Sequence, residues 1–185
     1  MLILASASPR RKELLSLITT EFEVCPAEIE ETLPEGIASD EVAEYLAIIK
    51  CLDVAKKFPK DTVIGCDTVV VKDGILGKPA DSADAKRMLK VLSGTPQCGT
   101  SHSVYTGVCI FKAGKTLSFT EETIVTFAEI PESLMDDYIK TGSPFDKAGG
   151  YGIQDDLVKL FTKSIVGNYE NVMGLPVASL YKRLF

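Results

Sequence analysis

Strand-like and helix-like stretches alternate along the whole chain, without repeats or a low-complexity linker. Runs rich in Val, Ile and Thr are typical of strands, whereas apolar residues at helical spacing are typical of helices. Strands are predicted at 2–5, 61–74, 102–112, 116–129 and 157–167, with a short strand and loop at 21–29. Helices are predicted at 9–17, 39–58, 80–94, 131–142 and 174–184. This interleaving predicts an α/β fold with a mixed central sheet flanked by helices.

Residues that favour helix ends and tight turns mark several predicted boundaries. Ser39 and Ser82 are the predicted N-caps of two helices, and Asp73-Gly74 is typical of a hairpin turn. The stretch GTPQCGTS at 94–101 differs at one position from the P-loop pattern GxxxxGK[ST]. It follows a predicted helix and precedes a predicted strand, whereas a P-loop follows a strand and opens a helix. A simple loop is therefore predicted there.

Composition limits the partners that the chain can have. A length of 185 residues favours one domain with a sizeable core, and a net charge of -6 argues against non-specific binding to nucleic acid or to an anionic membrane. No secretory signal is evident, and the five cysteines are odd in number and widely spaced. We expect a reduced, cytoplasmic protein. With a single histidine and no CxxC pair, a zinc site is not expected, and a Cys98/His102 nucleophile pair has only weak support.

Two hydroxyls and two arginines stand between the first predicted strand and the first predicted helix, in the stretch SASPRR. Free backbone N–H groups at a helix start, together with Ser8, Arg10 and Arg11, would form a receptor for phosphate. The alternative is a surface arginine pair with a capping serine. This stretch alone favours neither interpretation.

An acid interrupts a β-branched run in the stretch GCDTVVV, where Asp67 and Thr68 stand among Val and Ile. Because burying a carboxylate is costly, Asp67 is expected at a strand end or facing a cleft, where it could bind a divalent cation or accept a proton from water. The alternative is an edge-strand aspartate hydrogen-bonded to a turn, which the residues alone favour slightly.

Three further stretches carry groups that could bind a nucleotide or a metal. In LGKP, Lys78 could bind phosphate or be an ordinary turn lysine, and in AEIEE the carboxylates of Glu28, Glu30 and Glu31 could hold a hard cation or simply be solvated. In SPFDKAGGYGIQDD, glycines allow close backbone approach, Tyr151 could stack on a ligand, and Gln154 could read a base edge.

Taken together, five stretches in order along the chain resemble the Maf family of nucleoside triphosphate pyrophosphatases. They are LASASPRRKELL, the helix lysine Lys50, GCDTVVV with LGKP, SPFDKAGGYGIQ, and NVMGLPVASL. The resemblance implies a single Maf-like domain over residues 1–185, with two lobes around a nucleotide cleft in an inosine triphosphatase-like architecture. It also implies a cytoplasmic homodimer that uses a divalent cation, Mg²⁺ or Mn²⁺. The negative net charge is the reason that no nucleic-acid or membrane partner is expected.

By position, the resemblance implies that Asp67 is the catalytic acid/base and that Glu31 and Asp67 hold the metal. The substrate-binding residues that it implies are Ser8, Arg10, Arg11, Lys50, Thr68, Lys78 and Gln154. Arg10, Thr68 and Gln154 together resemble the branch that hydrolyses dTTP and UTP to the monophosphate and pyrophosphate.

The alternatives are a 7-methyl-GTP-type pyrophosphatase, a nucleotide-binding regulator of cell division or septum formation, and an unrelated phosphate-ester hydrolase. The chain also departs from the family pattern: the loop at 94–102 is longer than usual, and Glu30-Glu31 stands where the family often has Asp-Glu.

Overall fold

A seven-stranded sheet and seven α-helices form the framework of the protein. The computed structural model describes residues 1–185. The strands are β1 (Leu2–Leu4), β2 (Glu23–Val24), β3 (Thr62–Val71), β4 (Ile75–Leu76), β5 (Thr100–Lys112), β6 (Lys115–Phe127) and β7 (Thr162–Val166). The helices are α1 (Pro9–Ser16), α2 (Val42–Lys57), α3 (Ser82–Leu92), α4 (Glu132–Lys140), α5 (Asp156–Lys159), α6 (Tyr169–Met173) and α7 (Val177–Leu184). Short 3-10 helices cover Ser143–Asp146 and Ala148–Gly150.

The sheet contains both parallel and antiparallel pairs. Its strand order is β2-β1-β3-β5-β6-β7, with β4 beside β3. β1 runs parallel to β2 and to β3, with Leu4 opposite Ile64, whereas β4 is antiparallel to β3 and β7 is antiparallel to β6. The predicted mixed α/β fold is therefore confirmed.

The chain divides into two compact units, each built from separate segments. Unit 1 comprises residues 1–68, 105–121 and 170–185, and unit 2 comprises residues 69–104 and 122–169. None of the helices combines the length and the apolar character that crossing a membrane requires.

Unit 1 has helices on both faces of its strands. Successive strand side chains point to opposite sides, so each face presents its own apolar residues to a helix. Leu4 and Ile64 face one side, where they pack with apolar residues of α1 and α7. Ile3 and Val63, one position earlier on the same strands, face the other side and pack with α2. The two faces explain why these buried strands are apolar at nearly every position.

In unit 2, α3 packs against α4 and against the second 3-10 helix. Lys86 on α3 bridges two carboxylates of α4, with its Nζ 2.9 Å from Glu132 Oε1 and 2.7 Å from Asp136 Oδ1. His102, Phe127, Tyr151 and Phe161 form a buried cluster of edge-to-face ring contacts. This cluster gives unit 2 a core of its own.

Several predicted boundaries differ from the structure. Ser39 lies in a turn before α2, whose N-cap is Glu41, and α3 is capped by Asp81, which accepts a hydrogen bond from Asp84 N at 2.8 Å. Ser82 is therefore the first residue of α3 and not its cap.

The last two predicted elements are each shorter than expected. The predicted strand 157–167 begins with the helical turn α5, and only Thr162–Val166 is extended. The predicted helix 174–184 is present from Val177 as α7, because Gly174 adopts a φ of +118° and Pro176 precedes α7, and the short helix α6 before it was not predicted. The predicted loop at 94–101 extends only to Gly99, and β5 begins at Thr100.

Candidate active site

Asp67 and Thr68 are consecutive residues of β3 and face opposite sides of the sheet. Asp67 faces α2, whereas Thr68 faces α1 together with the buried Cys66. β3 lies between β1 and β5 in the sheet, so the alternative of an edge-strand aspartate is wrong. One short stretch of strand therefore supplies polar groups to two separate clusters.

The first cluster is an ammonium group shared by two carboxylates. Lys50, on α2, places its Nζ 2.5 Å from Asp67 Oδ1 and 2.8 Å from Glu31 Oε1. The side chains of Lys50 and Asp67 are 14% and 13% exposed, whereas that of Glu31 is 53% exposed. Glu28 turns elsewhere and pairs with Lys57 at 2.8 Å, so of these two acids only Glu31 reaches the lysine. Asp67 is thus largely shielded from water and is linked to the exposed Glu31 through the shared ammonium group of Lys50.

The carboxylate oxygens of this cluster suit a divalent cation that prefers oxygen ligands. Glu31 and Asp67 direct carboxylate oxygens at one cationic position. Mg²⁺ and Mn²⁺ prefer oxygen ligands, and Mg²⁺ commonly takes one or two carboxylates together with water and substrate phosphates. No group of three or more His, Cys, Asp and Glu side chains is arranged to hold a metal. The pair therefore suits an ion bound together with a phosphate substrate, not a closed protein site.

The second cluster surrounds the guanidinium of Arg11 on α1. Its Nε donates to Gly174 O (2.9 Å), its Nη1 to Ser6 Oγ (3.1 Å) and its Nη2 to Thr68 Oγ1 (3.1 Å). The Ser8 amide donates to the same Ser6 hydroxyl at 3.3 Å. Because a guanidinium has five N–H donors, three of which are used here, two remain for a ligand.

The hydroxyl groups of Thr68 and Thr106 extend this cluster, and the direction of each of their hydrogen bonds can be assigned. Thr106 donates its single hydroxyl proton to Asn171 O at 2.9 Å, so it must accept from Thr68, whose oxygen lies 2.9 Å away. Thr68 therefore accepts from Arg11 and donates to Thr106. The prediction from sequence missed Thr106, although a threonine among alternating buried valines at 104 and 108 could have indicated a buried polar partner.

Ser8 and Arg10 begin the same helix. Ser8 occupies the N-cap position with extended backbone angles, but its side chain makes no capping hydrogen bond. The interpretation of Ser8 as a capping serine is therefore wrong. Both residues are half-buried.

The remaining two predicted residues lie in unit 2. Lys78 follows β4 and is exposed, and the adjacent Gly77 carbonyl accepts from Gly149 N at 2.9 Å. Gln154 is half-buried, and its Oε1 is buried without a hydrogen-bond partner. Unit 1 holds the other predicted residues, which are Ser8, Arg10, Arg11, Glu31, Lys50, Asp67 and Thr68.

In unit 2, the predicted stacking role of Tyr151 is wrong, and the weakly supported Cys98/His102 pair is absent. Tyr151 is 5% exposed, and its hydroxyl lies 2.7 Å from His102 Nε2, so it belongs to the core and cannot stack on a ligand. His102 is bound to that tyrosine and buried, whereas Cys98 is exposed in the preceding loop. The Cys98/His102 nucleophile pair therefore does not form. Burial, with a smaller effect of Lys72, lowers the pKa of His102 to about 4.

The family model described as Maf-like protein matches residues 1–185 of this chain. A protein named dTTP/UTP pyrophosphatase from Bacillus cytotoxicus is 46% identical over 183 residues, which cover 98% of this chain and 93% of that protein. Another of that name from Koribacter versatilis is 48% identical over 184 residues, covering 99% of this chain and 92% of that protein.

Among solved structures, a HAM1 protein from Coxiella burnetii is similar with a TM-score of 0.54 and 16% identity, covering 99% of this chain and 97% of that one. This likeness shows the fold alone. The match of the family model along the whole length, together with relatives at 46% and 48% identity, shows that the chain belongs to the Maf family.

Proposed function

We propose that this protein hydrolyses dTTP and UTP to the nucleoside monophosphate and pyrophosphate. The observation that carries the proposal is the largely buried Asp67 carboxylate, held by Lys50 Nζ at 2.5 Å, with Glu31 bound to the same ammonium group at 2.8 Å. The names of the relatives from Bacillus cytotoxicus and Koribacter versatilis support the same reaction and the same two nucleotides.

In the proposed reaction, Asp67 accepts a proton from a water molecule as the water oxygen attacks the α-phosphorus. A new P–O bond forms, the bond between the α-phosphorus and the oxygen that bridges to the β-phosphorus breaks, and pyrophosphate leaves in line. Asp67 then releases its proton to solvent. Lys50 orients Asp67 and, with two of its three N–H donors used by the carboxylates, keeps one for a phosphate oxygen.

The triphosphate carries several negative charges, and the protein has a net charge of -6, so positive charge must be concentrated locally. Arg10, Arg11, Lys50 and Lys78 are the proposed phosphate ligands, and Ser8 contributes at the start of α1. Glu31 and Asp67 would hold Mg²⁺ or Mn²⁺, which when bound neutralises phosphate charge and polarises the reacting phosphoryl group. The two N–H donors of Arg11 that its structural bonds leave over suit bidentate contact with phosphate.

For base recognition, we propose that Gln154 accepts a hydrogen bond from the imide N–H of uracil or thymine. Its buried Oε1 lacks a partner in the protein, and an unmet buried acceptor gains most from a ligand that supplies a donor. Thr68 and Arg10 are proposed to contribute to the same selectivity. The proposed homodimer and cytoplasmic location rest on the resemblance to the family.

The proposal is tested by Asp67→Asn, with initial rates on UTP and Mg²⁺ and chromatographic identification of the products. We expect kcat to fall by about 10²–10⁴-fold because the amide cannot accept the proton, while circular dichroism and the melting curve stay close to those of the native protein. Asp73→Asn is the matched control, because it makes the same chemical change in an exposed turn where asparagine accepts the φ of 53°.

Full activity in Asp67→Asn would contradict the assigned role. Binding of UTP without turnover by the native protein would instead support a nucleotide-binding regulator.

A further inference from the structure

A network of buried and half-buried polar side chains surrounds the segment that carries Gln154. The Gly152 amide donates to Tyr138 Oη at 2.9 Å, and the Tyr138 hydroxyl donates to Asp155 Oδ2 at 2.6 Å. Tyr138 thus bridges the residues two positions before and one position after Gln154. All of these residues lie in unit 2.

The network continues to a buried lysine. Ser143 Oγ donates to the same Asp155 oxygen at 2.6 Å, and Lys147 Nζ donates to Ser143 O (2.6 Å), Ser143 Oγ (3.0 Å) and Asp146 Oδ1 (2.7 Å). All three ammonium donors of Lys147 are therefore used. Burial raises the pKa of Tyr138, and its hydrogen bond to Asp155 adds to this effect, so the hydroxyl stays a donor.

The amide of Gln154 lies against this network. A Cβ added to Gly152 would lie 2.9 Å from Gln154 Nε2, 2.6 Å from Lys147 Cε and 2.8 Å from Asp155 Oδ2. The absence of a side chain at Gly152 therefore makes room for the glutamine amide beside groups that are themselves fixed. In contrast to those groups, which are hydrogen-bonded, Gln154 Oε1 is buried without a partner.

We propose that Tyr138 is a positioning residue that holds the Gln154 amide ready to accept the imide N–H of a uracil or thymine base. The proposal rests on the function proposed above, in which Gln154 contacts the base. A fixed acceptor discriminates between bases, since N3 carries a proton in uracil and thymine and only a lone pair in cytosine. A loosened amide could turn its NH₂ group toward the cytosine lone pair and lose this discrimination.

The test compares kcat/KM for UTP and CTP in Tyr138→Phe. We expect the preference for UTP to fall about tenfold, through a higher KM for UTP, while kcat for UTP changes by less than about twofold.

Ser143→Ala, which removes one bond to Asp155 at a half-buried position, should lower the preference about threefold and carries the test if Tyr138→Phe does not fold. Tyr181→Phe, which removes a hydroxyl from an exposed tyrosine of unit 1, should leave the preference unchanged.

Gln154→Ala separates this proposal from the proposed function. It should abolish most of the preference, and adding Tyr138→Phe to it should lower the preference no further, because both changes act on one recognition element. An unchanged UTP preference in Tyr138→Phe and Ser143→Ala, with kcat/KM lowered equally for both nucleotides, would overturn the positioning role. An unchanged preference in Gln154→Ala would overturn both base reading by Gln154 and this inference, while pyrophosphate release and the Asp67 test would stand independently.

Discussion

At the residue scale, the identity of the candidate acid is readable from sequence, whereas its partners are not. An aspartate inside a β-branched run is costly to bury, so the stretch GCDTVVV marks Asp67 as a candidate. Its role as acid/base came from the resemblance to the family, because the residues alone slightly favoured an edge-strand aspartate. Its contact comes from Lys50, 17 positions earlier on α2, and Lys50 is shared with Glu31, which lies outside any helix or strand. Only the packing of α2 against β3 brings these charges together, and no local pattern encodes that distance.

Contacts between distant residues also decide the environment of Tyr151, which was wrongly predicted to stack on a ligand. Glycines around an aromatic residue suggested an open ligand-binding loop, but the glycines instead allow the backbone to pack closely, and Tyr151 enters the core. Gly149 has a φ of +71°, and a Cβ added there would lie 3.0 Å from Val70 Cγ1. A glycine-rich sequence therefore indicates close approach without specifying whether a ligand or the protein itself approaches.

His102 should make stability depend on pH in a defined window. Because the folded pKa of about 4 lies below the ordinary 6.5, protonation favours the unfolded chain, and stability is lost as the pH falls from 6.5 toward 4. Between pH 7.5 and 5 this corresponds to about 2 kcal/mol of unfolding free energy. Urea denaturation at several pH values measures the effect.

His102→Gln is the control for that measurement, because His102 is the only histidine in the chain. We expect the slope between pH 6.5 and 5 to flatten in this variant. A native protein of constant stability over this range, or an equal slope in His102→Gln, would contradict the assignment.

At the element scale, periodicity predicts most helices and strands, and errors concentrate at their ends. Asp81 and Ser82 are both good N-cap residues, and Asp81 is the one whose backbone is extended and whose carboxylate reaches Asp84 N. The run LVKLF suits a strand or a helix equally, and in the structure α5 occupies its first residues. The hairpin turn predicted at Asp73-Gly74 is confirmed, since both residues adopt the positive φ angles that tight turns need.

The approach of α2 to β5 depends on Gly107. A Cβ at this position would lie 2.2 Å from both the carbonyl carbon and the oxygen of Ala43, so α2 would have to move. We expect Gly107→Ala to cost at least about 3 kcal/mol of unfolding free energy, measured by urea denaturation.

Gly77→Ala is the matched control, because nothing lies within 4 Å of its added Cβ, and it should change stability by less than about 0.5 kcal/mol. Equal stabilities for the two variants would show that α2 does not depend on close contact at Gly107.

At the scale of the whole molecule, fold class and family follow from sequence, whereas strand order and unit boundaries do not. Alternating elements predict a mixed α/β sheet, and the order β2-β1-β3-β5-β6-β7 emerges only from three-dimensional pairing. Unit 1 combines three distant chain segments, and no composition shift marks where they join. Motif spacing along all 185 residues was therefore more informative about function than any division of the chain.

In the proposed reaction, water attacks the α-phosphorus of dTTP or UTP and pyrophosphate is the leaving group. Hydrolysis of UTP in oxygen-18-labelled water, followed by mass spectrometry of both products, identifies the phosphorus atom that is attacked. We expect one labelled oxygen in UMP and none in pyrophosphate. Label in pyrophosphate, which would place the attack on the β-phosphorus, or release of orthophosphate with UDP, would contradict it.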